Sequence, residues 1–355
     1  MAKTFKNLLS PMLEIDNLHR AFKKCSKGRR NKPKVVKFRA NLVDELLSIK
    51  DDILSGNYQV SGYNSFLVYE PKVRKITALK AFRDRVVQQA VFDILETIYE
   101  PRFIPNSFAC RTGKGTHAAL DKAQSLIKRH SECSKVFVFK ADVRKFFASI
   151  NHSHLKRILK KRIGDQKFLN LLYEIIDSYE DSNGCGLPIG NLTSQIFANI
   201  YLNELDQFVV HRRRVTSYIR YMDDFVVIGN SRERLKKLRI EVEQFLSDEL
   251  SLSLNNKTEI HPISKNYGQG LSFLGCFIWK DRRRVKGDAI KRFNSRVKTM
   301  VKKFACWEID HCQIKPVVVS MLNHFKTTES TKAIINILNK SVFIRDWSNE
   351  NARRI

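Results

Sequence analysis

The stretch "SYIRYMDDFVVIG", Ser217–Gly229, sets two carboxylates, Asp223 and Asp224, in the middle of an apolar and aromatic run. "YIRY" and "FVVIG" have the β-branched and aromatic content of strands, and Met222-Asp223-Asp224 reads as the turn between them. Asp is a common turn former, so a polar hairpin tip would account for the pair taken alone. Leaving a carboxylate unpaired near a core is expensive, however. A strongly positive partner for this turn is the sharper expectation.

The chain as a whole is rich in positive charge. It has 355 residues, 64 Lys and Arg against 36 Asp and Glu, and a net charge of +28. Apolar residues make up 43%, enough for a large core, which excludes a disordered chain. An imbalance of this size points to a polyanion partner rather than to an ordinary solvated surface. No apolar run reaches the ~20 residues of a spanning helix, and the N-terminus lacks a signal-peptide pattern, so a cytoplasmic location is expected, with no membrane partner. The seven Cys are scattered without a CxxC pair, as in reduced proteins. Cys306 and Cys312 flank His311, but no fourth ligand for zinc stands beside them.

Outward from the aspartates, periodicity predicts mixed elements. Residues 1–60 read as helical, with "KKCSKGRRNKPKVVK" (23–37) as an exposed charge run. "SFLVYEPKVRKITAL" (65–79) alternates like a hairpin turning at Pro71–Val73. Helical stripes run over 84–100 and 115–130, and a long helix from about Thr193 to Val210 has Asn191 as its N-cap. "KVFVFKAD" (135–142) reads as a strand covered on both faces. A helix near 231–250, a short strand "LSFLGCFIW" (271–279) and a basic helical tail complete an α+β chain with helices on one face of a sheet.

A second carboxylate changes the weight of the first pair. Asp142 closes its strand; if that strand neighbours the hairpin, Asp142 and Asp223 meet at the rim of one sheet. Like charges at such range repel, and a hard divalent cation resolves the repulsion. Mg²⁺ takes oxygen ligands and often combines carboxylates with substrate phosphates. Two such ions can clamp both oxygens of an in-line phosphoryl displacement. The basic surplus then holds nucleic acid over an acidic metal site.

The ordered blocks Asp142-x4-Phe147, "GLPIGNLTSQIFANIYL" (186–202), "YMDD" (221–224), Lys257 and "FLGCFI" (273–278) resemble the reverse transcriptase family. The resemblance implies a right-hand polymerase fold. Residues 1–134 would form an N-terminal extension and fingers, with 150–185 as a helical insertion. Residues 135–149 and 186–279 would form a palm of antiparallel sheet backed by helices, and 280–355 a helical thumb. It implies RNA-directed DNA synthesis with two Mg²⁺ ions, Mn²⁺ being the alternative, on template RNA, an RNA/cDNA duplex and dNTPs. Where group II intron enzymes usually read "PQG…SP", this chain reads "PIG…SQ". That block, with "RDRVVQQA" (83–90), "CRTGKGTHAAL" (110–120) and "MLNHFKTTES" (321–330), is similar to the reverse transcriptases of diversity-generating retroelements. Those enzymes copy a template-repeat RNA with errors at adenines and work with a basic, homo-oligomeric accessory variability protein. Such a protein belongs to a prokaryotic cell or a phage. Anti-phage defence or a retron-like element is the alternative setting, and a non-enzymatic RNA chaperone the alternative class. An intron enzyme is expected to carry more chain after the palm than the 76 residues from Lys280 to Ile355.

Residue by residue, the resemblance implies that Asp142, Asp223 and Asp224 are catalytic metal ligands, with the Val143 carbonyl adding one. Phe147 would be the steric gate against a ribose 2′-hydroxyl. Lys72, Arg74 and Arg111 would grip the triphosphate, as non-titrating or chelating cations should. Lys257 would protonate leaving pyrophosphate. Ile189, Gly190 and Gln195 would border the nascent base pair; an isoleucine there can only pack, leaving discrimination to shape. Arg212, Arg213 and Arg214, then Arg282, Arg283 and Arg284, then Lys291 and Arg292 would touch duplex phosphates. For each cation a solvated surface position is the plain alternative.

Overall fold

Two compact units emerge in the computed structural model, which describes residues 4–69, 73–132, 135–264, 268–325 and 328–345. The first comprises Met1–Gly113, Lys140–Val226 and Lys236–Glu259; the second comprises Lys114–Phe139, Val227–Leu235 and Ile260–Ile355.

In the first unit, helices Ile15–Ser26, Pro33–Ala40 and Phe82–Tyr99 meet through Phe22, Phe38 and Phe82, whose rings lie 5.3–6.2 Å apart. Strands β1 (Tyr63–Val68) and β2 (Arg74–Leu79) form an antiparallel ribbon in register Val68↔Arg74 to Tyr63↔Leu79. The residues that would join them at 70–72 lie outside the described set, and so does Lys72. Helix Leu192–Gln207 is buried on nearly every side, including Thr193, Asn199 and Asp206. Polar groups at that depth need partners. Thr193 Oγ1 donates to Gln88 Oε1 at 2.8 Å, and Asn199 Nδ2 donates to the Ala109 carbonyl at 3.0 Å. Asn191 does stand at the N-cap, but its side chain makes no capping bond.

Strands β3 (Phe137–Asp142), β4 (Tyr218–Tyr221), β5 (Asp224–Gly229) and β6 (Glu259–Pro262) form a sheet of order β4-β5-β3-β6. A two-residue connection makes β4 and β5 an antiparallel hairpin. Its turn is Met222–Asp223, one residue shorter than the sequence pattern indicated, because Asp224 already belongs to β5. The ends of β3 and β5 that carry Asp142 and Asp224 belong to the first unit.

The second unit corrects two expectations. "LSFLGCFIW" is a tight hairpin rather than one strand: β7 (Leu271–Phe273) pairs antiparallel with β8 (Cys276–Ile278). Leu274 and Gly275 turn between them with φ of 46° and 81°, the left-handed pair that a two-residue hairpin loop requires. The "basic helical tail" opens with a strand, β9 (Arg283–Val285), which pairs with β8. Helices Gly287–Ala305, His311–Phe325 and Thr331–Asn339 follow. In the first of these, Phe293, Val297, Met300 and Phe304 form the buried stripe. Among the described residues no helix is long and apolar enough to cross a membrane. The fold is α+β with antiparallel sheets.

Candidate active site

The hairpin β4–β5 fixes the aspartate turn from behind. Arg220, in the middle of β4, is fully buried together with Asp206. Its Nε and Nη2 each donate to an Asp206 oxygen at 2.7 Å, and its Nη1 donates to Asn199 Oδ1 at 3.1 Å and to the Met222 carbonyl at 3.0 Å. Tyr218 donates its hydroxyl to the same Asp206 at 2.8 Å. The guanidinium therefore ties the helix Leu192–Gln207 to the carbonyl of the residue just before Asp223. Met222 itself sits at φ 56°, a strained conformation for a non-glycine residue.

Asp142 reaches the turn from β3. Asn255 holds it twice: the Asn255 amide N–H donates to the Asp142 carbonyl at 2.7 Å, and Nδ2 donates to the carboxylate at 3.2 Å. The Val143 N–H donates to the Asp223 carbonyl at 3.3 Å. The carboxyls of Asp142 and Asp223 lie within direct electrostatic reach of one another. Burial, then the Asp142 charge, push Asp223 up from 3.8 to about 6, while Arg74 pulls it back down. Arg74 is exposed at the start of β2 and sits within electrostatic reach of the pair.

This carboxyl pair suits a hard divalent cation, since ionising Asp223 without one is opposed by its burial and by the Asp142 charge. The fit is narrower than the expected cluster of three aspartates. Among the described residues no three His, Cys, Asp or Glu side chains converge as a ready ligand set. Asp224 follows at the head of β5, where successive side chains alternate between faces.

Around the pair, Phe147 is half-buried against Phe146, and its carbonyl accepts from the Leu187 N–H at 2.8 Å. The next residues form a second contact point. The Ile189 carbonyl accepts from the Thr77 N–H of β2 at 2.8 Å, while the Ile189 side chain stays 37% exposed. Gly190 has φ 122°, and a Cβ there would stand 2.9 Å from Ile76 Cγ2. Ribbon and loop approach too closely for any side chain. Gln195 is half-buried in the first turn of the long helix. Lys257 is exposed, two residues past Asn255.

Two cations are withdrawn from their expected roles. Arg111 is saturated by its own loop: Nε and Nη2 donate to Glu100, and Nη1 donates to the carbonyls of Ile104 and Ser107, both at 2.8 Å. With 6% of its side chain exposed, it fastens the segment after the helix Phe82–Tyr99 instead of facing a triphosphate. Arg283 is buried and paired with Asp121 at 2.6 Å, because its place on β9 points inward. Arg212, Arg213 and Arg214 are exposed, although Arg213 pairs with Glu241 at 3.2 Å and lies over Phe208. In the second unit Arg282 lies over Trp279, and Arg284, Lys291 and Arg292 are exposed.

Arg220, Asp206 and Asn255 escaped the reading of the sequence. The signal for Arg220 was present, since an arginine inside "YIRY" is as anomalous as the aspartates beside it.

Comparison with known proteins follows the same residues. The family described as reverse transcriptase (RNA-dependent DNA polymerase) matches residues 69–278. Protein YkfC of Escherichia coli is 28% identical over 287 residues, covering 69% of this chain and 74% of its own length. The group II intron-encoded protein LtrA of Lactococcus lactis is 29% identical over 215 residues, covering 56% of this chain. The match spans only 35% of LtrA. Among solved structures, apo telomerase from Candida tropicalis aligns with a TM-score of 0.50 at 14% identity, over 64% of this chain and 55% of that one. That likeness concerns the fold.

Proposed function

This chain belongs to the reverse transcriptase family, and from that premise we propose that it extends a primer with dNTPs along an RNA template, using Asp142 and Asp223 as its central pair. The observation that carries the reading is the meeting of these two carboxylates at the rim of the sheet, where the Val143 N–H, next to Asp142, donates to the Asp223 carbonyl at 3.3 Å and Arg74 lies within electrostatic reach of Asp223. Divalent cations, which the family generally uses, would be held by Asp142 and Asp223 with Asp224 and the Val143 carbonyl adjoining. When bound they supply charge neutralisation at the reacting phosphate. Asn255 and Arg220 fix the two ligands from behind. Arg74, with Lys72, draws the triphosphate toward them, and Phe147 excludes a 2′-hydroxyl. We assign fingers, palm and thumb to the boundaries expected from the sequence, and give Arg212, Arg213, Arg214, Arg282, Arg284, Lys291 and Arg292 to the phosphates of the template–primer duplex. Primer extension on an RNA template with Mg²⁺ tests the proposal. The wild type should extend, and Asp223→Asn should not; a wild type as inert as that variant would leave an RNA chaperone as the better description.

Within the family, the "PIG…SQ" block favours the enzyme of a diversity-generating retroelement, acting with an accessory variability protein. The similarity to LtrA favours instead an intron-type reverse transcriptase. The exposed Ile189 separates them at the level of chemistry, since an isoleucine can restrain a base pair only through shape. Sequencing cDNA made by Ile189→Gln is the test. Fewer errors at adenines support the retroelement reading, and an unchanged spectrum removes Ile189 from it.

A further inference from the structure

The charge run that reads as plain solvated surface, residues 23–37, turns out to wall a cavity. Arg29, Lys32 and Lys34 from this run face Lys80 and Arg85 across a space of about 420 Å³ in the first unit. No acidic side chain lines it, and among the described residues none of the five cations is in an ion pair. Two contacts fix its walls: Lys34 Nζ donates to the Lys80 carbonyl at 2.8 Å, and Cys25 Sγ contacts the Arg85 carbonyl at 3.2 Å. The floor is apolar, made by Val35 and Phe82, both buried. Helices Pro33–Ala40 and Phe82–Tyr99 both begin at this cavity, and neither has a side-chain cap at its N-terminus. Their dipoles add positive potential where the cations already converge.

Arg85 is half-buried in this group, while Arg29, Lys32, Lys34 and Lys80 are exposed around it. Burial, and next the neighbouring Arg29 charge, lower the pKa of Arg85. Like charges held together without a counter-ion are relieved by an anion, and the number of cations indicates which kind. An internal phosphodiester brings one negative charge, whereas a triphosphate brings about three to four on adjacent groups. The volume is in the range of a nucleotide-sized site, and the apolar floor can accept a ribose or base beneath the phosphates.

We propose that this cavity binds the polyphosphate group of a nucleotide, either free or as the 5′-triphosphate end of an RNA. The site is distinct from the carboxyl pair and needs no divalent cation and no polymerisation, so it goes beyond the function proposed above.

The test uses the full chain in EDTA, which silences metal-dependent nucleotide binding. Affinities are measured for one RNA sequence carrying a 5′-triphosphate or a 5′-hydroxyl, with GTP and tripolyphosphate as competitors. The triphosphorylated RNA should bind at least about tenfold more tightly, as expected for one or more added charge-assisted contacts. Arg29→Ala/Arg85→Ala should abolish that preference while leaving the 5′-hydroxyl RNA bound as before. Displacement by GTP identifies a free nucleotide as the ligand, and a preference that GTP does not displace identifies the RNA end. Equal affinity for both RNAs, with no binding of GTP or tripolyphosphate, overturns the proposal. Should the double variant melt early, Lys32→Gln/Lys80→Gln on the exposed rim replaces it, and a preference unchanged in that variant also overturns the proposal. Primer extension run in parallel reports on the polymerase reading alone, so either can fail without the other.

Discussion

Two charged pairs each have one member on the hairpin β4–β5, Arg220 with Asp206 of the long helix and Asp223 with Asp142 of β3, and they are built on opposite terms. Arg220 and Asp206 are oppositely charged, fully buried, and saturated by Tyr218, Asn199 and the Met222 carbonyl. Asp142 and Asp223 carry the same sign, and burial together with the Asp142 charge holds Asp223 above the usual carboxylate range. The first pair is complete within the protein, as a buried ion pair must be to persist. On the function proposed above, the second would be completed by a divalent cation. The comparison separates a charge neutralised by its own partner from a pair of like charges held side by side.

The largest effect should come from breaking the satisfied pair. Asp206→Ala leaves a guanidinium buried without its counter-ion and should cost about 3–5 kcal/mol, read by urea denaturation. Loss of under about 1 kcal/mol would show that the pair is not the anchor described here. Asp223→Asn should behave in the opposite way. Primer extension should fall by about 10²–10³-fold, the scale of removing one preorganised electrostatic group. The melting temperature should hold or rise, because a buried repulsion is relieved. A large drop in melting temperature would erase the contrast between the pairs.

A subtler effect concerns pH. The Asp223 carboxyl is raised in the folded protein, so its contribution to stability is fully present below the ordinary carboxylate range and is lost as pH rises through about 6. A divalent cation needs the ionised form. Its apparent affinity should therefore fall by about tenfold per pH unit below 6, as monitored by the Mg²⁺-induced rise in melting temperature. An affinity independent of pH between 5 and 7 would mean that Asp223 is not a ligand. The smallest expected effect separates two arginines. Arg74→Ala should raise the KM for dNTPs by about tenfold, one lost charge-assisted contact. Arg111→Ala should leave that KM unchanged and lower stability, since its guanidinium is committed to Glu100 and to two carbonyls.

These contrasts mark what a sequence can disclose. That Asp142 and Asp223 meet at the sheet's rim was legible because a carboxylate set against an apolar run is a local anomaly, visible without knowing what lies across from it. The engagement of Arg111 was hidden because a motif specifies a charge at a position but not its partner, and Glu100 stands eleven residues earlier, at the end of the helix Phe82–Tyr99. The hairpin at Leu274–Gly275 was hidden because "SFLGCFI" stays apolar through the turn, with only one glycine to mark it. Arg283 looked like its neighbours in a basic run, and only the alternation of β9 sends it inward to Asp121. The cavity beneath the charge run was beyond reach, since Lys80 and Arg85 come from a segment some 50 residues away.

The approach of Gly190 to Ile76, with the Thr77 N–H bonded to the Ile189 carbonyl, joins a solvent-facing ribbon to the loop beneath it. The Ile189 backbone and the strand that begins at Arg74 are thus joined through the Thr77 bond. Substitutions meant to adjust base selection alone, or phosphate grip alone, should come out as paired phenotypes, and an engineer tuning one should expect to retune the other.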